Sequence, residues 1–121
     1  MNANKIYNLT QHVATADQNS VMEPSDKKAV QTLLTFDSPP IPEEIRERAK
    51  TLAKIAALSG CLTAMIGGAP FLMGPLQAAL AAEGVETVFS FSQRVSVETM
   101  NPDGSVTKTN GFKHVGWLHG A

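Results

Sequence analysis

The chain has 121 residues, 43% of them apolar and 17% charged. That composition belongs to a folded domain of the commonest size and excludes intrinsic disorder. Ten Lys and Arg against eleven Asp and Glu leave a formal charge of -1, which excludes a duplex-DNA binder with a basic phosphate-contacting face.

A single cysteine, Cys61, leaves no intramolecular disulfide and no cysteine-based zinc cluster. The opening MNANKIYNLTQH lacks the basic-then-apolar layout of a signal peptide. The longest apolar stretch, 61–80, is broken by Gly67, Gly68, Pro70, Gly74 and Pro75, so no membrane span is expected. A cytoplasmic single domain over 1–121 follows as the expectation.

Residues 5–9, KIYNL, form a short β-prone run leading to Thr10, Gln11 and His12. Thr15, with Gln18 three residues on, has the spacing of a capping box for a short helix. Ser25 precedes DKKAVQTLLTF, where Ala29, Val30, Leu33 and Leu34 fall at helical spacing until SPPIP stops the element. The clearest helix starts at Pro42. Its residues Ile45, Ala49, Leu52 and Ala56 make one apolar face, and Gly60 suits its C-terminal cap.

CLTAMI (61–66) is a continuous apolar run, as a strand covered on both faces would be. It enters Gly67-Gly68-Ala69-Pro70 and a second apolar helix, FLMGPLQAALAAEG, which must begin late or kink at Pro75. In the strand VETVFSFS (85–92), Val88, Ser90 and Ser92 share one face, and Thr87, Phe89 and Phe91 the other. RVSVETM, NPDG and SVTKTN then read as a β-hairpin from about 94 to 117, with Gly104 supplying the positive φ. The class is α/β, a mostly parallel sheet with a C-terminal antiparallel hairpin. Exposed Phe112, Val115 and Trp117 on that hairpin predict at least a dimer.

In open α/β sheets the ligand crevice lies beyond the carboxyl ends of the strands. Three such ends carry chemistry: Asn8, Thr10, Gln11 and His12; Gly67 and Gly68; and Ser90, Ser92, Gln93 and Arg94. Hydroxyls, amides, an imidazole, a guanidinium and bare backbone before a helix suit a phosphate. The same residues have plainer uses: a tight turn at Gly67-Gly68, a surface ion pair for Arg94, a sheet face for the serines. GGAP is neither G-x-G-x-x-G nor a Walker loop. No histidines or carboxylates have metal-ligand spacing, so neither a metal nor a cofactor is expected. Near the C-terminus, His119 reads as frayed.

The ending FSFSQRVSVETMNPDGSVTKTNGFKHVGWL and the opening NLTQHVATADQ resemble small stand-alone proteins of type III CRISPR systems. The resemblance implies a CARF-like Rossmann domain in a homodimer or higher homo-oligomer that binds a cyclic oligoadenylate, with cyclic tetra-adenylate the expected ring. Some members are ring nucleases, which cut this messenger and switch the antiviral response off. Carried over, Asn8, Thr10, Gln11 and His12 match the first-strand loop, Gly67 and Gly68 the phosphate turn, and Ser92 and Arg94 the third-strand end. Lys113 and His114 match a tail motif. His12 and Arg94 are the catalytic candidates; Ser90 joins the others as ligand-binding. A metal-free attack by the ribose 2′-hydroxyl is compatible with that set. A non-catalytic nucleotide-binding module and a structural adaptor remain the alternatives.

Overall fold

The computed structural model describes residues 4–12, 14, 18, 20–22 and 24–120, without the side chains of Pro24, Arg94 and Phe112. In chain order the elements are β1 (Ile6–Leu9), β2 (Ser20–Val21), α1 (Pro24–Leu34), α2 (Pro42–Leu58), β3 (Thr63–Ile66), α3 (Pro70–Ala82), β4 (Glu86–Met100) and β5 (Val106–His119). They build a five-stranded sheet in the order β2-β1-β3-β4-β5. The first four strands are parallel and β5 runs antiparallel to β4. The expected α/β class and mostly parallel sheet with a C-terminal hairpin are therefore present.

One apolar cluster joins helices to sheet. Tyr7 and Leu9 pair in register with Ala64 and Ile66, and all four belong to it. Val30 and Leu34 from α1, Ala49, Leu52, Ala53 and Ala56 from α2, and Leu72, Leu76 and Leu80 from α3 complete it. The three helices thus cover the same sheet face, and the i, i+4, i+8 spacing in α3 is what lets three leucines reach it. Tyr7 also donates its hydroxyl to Asp26 at 3.2 Å, tying β1 to α1. Asn8, Met65 and Val88 are buried outside this cluster, on the opposite face. No helix among the described residues is long and apolar enough to cross a membrane.

Several boundaries differ from the sequence expectation. α1 begins at Pro24 instead of being capped by Ser25, because proline suits the first helical position, where no N–H donor is needed. β3 starts at Thr63, leaving Leu62 exposed before it. α3 runs through Pro75 without starting late; the missing N–H deprives only the Phe71 carbonyl, near the helix start, of its i+4 partner. It closes as expected at Gly84 (φ +74°), where Val85 N–H donates to Leu80 O at 2.9 Å and Gly84 N–H to Ala81 O at 3.0 Å. This pair of bonds is a Schellman cap. The two-residue β2 carries no alternation to find and was not expected. Thr15 lies outside the described residues, and the Gln18 amide reaches Ser90 across the fold.

The segments 85–92 and 94–100 are one strand, not two. β3 opposes β4 only over Glu86–Val88, so the later residues of β4 pair with β5 alone. The eleven residues Ser90–Met100, ~35 Å at strand rise, continue past the carboxyl edge of the sheet as a two-stranded ribbon. Its turn holds Asn101 O against Gly104 N–H at 3.0 Å, with Gly104 at φ +85° as expected. His119 is not frayed: it pairs with Val88, and its Nδ1 sits 2.5 Å from Glu86 Oε1.

Candidate functional site

Sheet order reverses between β1 and β3, since β2 lies to one side of β1 and every later strand to the other. Beyond the carboxyl ends there, a cleft of about 600 Å³ opens. Its walls include Thr10 and His12 after β1, Gly67 after β3, Ser90 and Ser92 of β4, and His114 of β5. Met65, Ile66 and Phe89 give it an apolar floor, and Ala14 and Gln18 of the β1–β2 connection cover it. A second hollow of about 390 Å³ shares Thr10, His12 and Ala14 and adds Asn8, Gln11, Ser20, Met22, Lys27 and Gln31. Six sequence candidates therefore meet at the cleft, and Asn8 and Gln11 at its neighbour. Gly68 and Lys113 line neither.

The β1 loop is held by its own side chains. Asn8 is 5% exposed. Its Oδ1 accepts from Thr10 N–H at 3.0 Å and from the Thr10 hydroxyl at 2.6 Å, and its Nδ2 donates to His12 O at 2.8 Å. Thr10 Oγ1 in turn accepts from His12 N–H at 3.2 Å. With their polar atoms spent on this turn, Asn8 and Thr10 shape the loop and leave the exposed His12 ring to the cleft. Gln11 points elsewhere, donating to Thr35 Oγ1 at 2.8 Å.

A β-bulge places the second imidazole. Phe91 pairs with Gly116 but Ser92 with His114, so Val115 is an extra residue on β5. The extra residue shifts the side-chain alternation, so that His114 stands beside Ser90 on the Trp117 side of the strand. Ser90 Oγ lies 2.5 Å from His114 Nδ1, Gln18 Nε2 donates to Ser90 Oγ at 3.1 Å, and the His114 and Trp117 rings are 4.6 Å apart.

Gly68 (φ +136°) makes the turn from β3 to α3, and a backbone of that kind is costly for any residue with a Cβ. Gly67 beside it presents bare backbone to the cleft. Ala69, the N-cap of α3, makes no side-chain capping bond, and among the described residues this helix start favours an anion through its dipole. Among the described residues the ionisable lining groups are His12 and His114 in the cleft and Lys27 in the adjoining hollow, and none in either lining is a carboxylate. Ser20 Oγ is buried against the second hollow without a hydrogen-bond partner among the described residues. Arg94 is a β4 residue paired with Phe112.

Sequence reasoning missed Gln18, Ser20, Lys27 and Gln31 as site residues. Gln18 reads in the sequence as a capping-box partner and the other three carry no motif; they lie in the β1–β2 connection, β2 and α1, and only the folding of β2 beside β1 brings them to the edge. The curated proteins and the solved structures contain no match to the chain. Residues 4–118 match the model of the Uncharacterized protein MJ1673 family, nearly end to end, and the chain belongs to that family.

Proposed function

We propose that the chain binds a cyclic oligoadenylate at the carboxyl-edge cleft and opens its ring, ending a type III CRISPR signal. The observation that carries this reading is the cleft itself: imidazoles, hydroxyls and glycine backbone beside a helix start without a side-chain N-cap, over an apolar floor, with no carboxylate among the described lining residues. A phosphate meets donors there, and a purine meets Met65, Ile66 and Phe89. The 2-1-3-4-5 strand order supports a CARF-like Rossmann domain, whose ligand would lie where the order reverses.

The ribose 2′-oxygen attacks the neighbouring phosphorus and the bond to the 5′-oxygen breaks. His12 takes the 2′-hydroxyl proton, worth ~10²–10⁴-fold. Arg94 and the Gly67 amide hold the phosphate and its developing charge. A ring with two-fold symmetry presents the same patch to each half of a two-fold dimer.

Single-turnover cleavage of radiolabelled cyclic tetra-adenylate in excess EDTA tests the reading. Cleavage by the wild type, its slowing by His12→Ala with binding kept, and weaker binding by Arg94→Ala are expected. A ligand-dependent rise in the melting midpoint without cleavage would leave a sequestering module. No midpoint shift with any cyclic oligoadenylate overturns the reading in favour of an adaptor.

A further inference from the structure

The second imidazole of the cleft is held by a partner that suits a proton carrier. Gln18 Nε2 has only protons to offer, and it donates to Ser90 Oγ at 3.1 Å. The Ser90 proton then goes to His114 Nδ1, 2.5 Å away. This leaves the neutral ring with its own proton on Nε2. When the ring is protonated, Nδ1–H donates back. Ser90 Oγ has two lone pairs, one for Gln18 and one for His114, and its hydroxyl proton rotates away. A carboxylate at this position would favour the imidazolium, and a carbonyl would hold a proton on Nδ1; a hydroxyl serves both states. Trp117, with its ring 4.6 Å from that of His114, backs the imidazole in either state.

We propose that His114 is a catalytic residue, the general acid that answers His12 across the same cleft; this rests on the ring-opening reading above. As the 2′-oxygen bonds to phosphorus, His12 accepts its proton. As the bond from phosphorus to the 5′-oxygen breaks, the electron pair stays on that oxygen, and His114, entering as imidazolium, protonates it. The products are a 2′,3′-cyclic phosphate and a free 5′-hydroxyl, with His12 charged and His114 neutral. Exchange with water restores both. Ser90 and Gln18 are positioning residues that aim the ring.

Two substrates separate the acid from the base: cyclic tetra-adenylate, and adenosine 3′-(4-nitrophenyl phosphate), whose nitrophenolate leaves without protonation. His114→Gln is expected to lose ~10²–10⁴-fold on the first and little on the second, whereas His12→Ala loses on both. Ser90→Ala should show the same selective loss to a smaller degree, and it carries the test should His114→Gln not fold. In a histidine ¹H–¹⁵N long-range spectrum, wild-type His114 should show the Nε2–H tautomer, and Ser90→Ala should lose that preference. Equal losses on both substrates, or none on either, with His12→Ala still impaired, would overturn the acid role while leaving ring opening intact. A wild type inactive on both substrates removes the ring-opening reading and the acid with it.

Discussion

Asn8 does more for this site by structure than by contact. Its amide satisfies Thr10 N–H, the Thr10 hydroxyl and His12 O, so Asn8→Ala leaves the N–H of buried Thr10 unpaired. A loss of about 2–3 kcal/mol in urea denaturation is expected. Asp103 shows a smaller effect with a definite sign. Hydrogen bonds from the Ser105 hydroxyl and amide hold its carboxyl below the ordinary 3.8. The folded turn therefore favours the ionised form. Its contribution is present above the ordinary carboxylate value and lost as pH falls through the lower folded value. Asp103→Asn should remove that acid-side change, read as hydrogen exchange in the ribbon at stepped pH. The NPDG turn was legible in the sequence because one residue type at one position does the work: Gly104 at φ +85°. The Ser90–His114 contact was not, because the residues lie 24 apart and a bulge sets their meeting.

At the scale of elements, α3 and the ribbon stand in contrast. Leu72, Leu76 and Leu80 are fully buried, and the helix meets the core through them. Leu76→Ala should cost about 2–5 kcal/mol by cavity formation, measured by chemical denaturation. The ribbon adds nothing comparable: among the described side chains of β4 and β5, Phe89 alone packs on the core cluster. Replacing 94–112 by a tight turn should leave a folded chain with a melting midpoint within a few degrees of the parent. A collapse of the midpoint would place the ribbon in the core's cooperative unit. The helices were readable because 3.6-residue periodicity is local. The merger of 85–92 with the hairpin into one strand was not, since Val88 and Met100 look alike in sequence while only the former has β3 beside it.

Across the whole molecule, the ribbon poses the question of assembly. Val97 is 55% and Met100 77% exposed, and β5 is an edge strand along its full length. An isolated two-stranded ribbon is marginal in water, and a second copy would cover it. Sedimentation of the native chain should therefore give at least twice 12.9 kDa, and the ribbon-deleted chain should fall to a monomer. A native monomer at micromolar concentration would reject the dimer. By itself the sequence determined the α/β class, the three main helices, the parallel core strands and the turn residues, because each rests on local periodicity or a single backbone angle. Only the tertiary structure decided that β2 lies beside β1 and that Gln18, Ser90 and His114 meet. Those contacts depend on strand order and on one bulge, and nothing within a few residues of any partner encodes them.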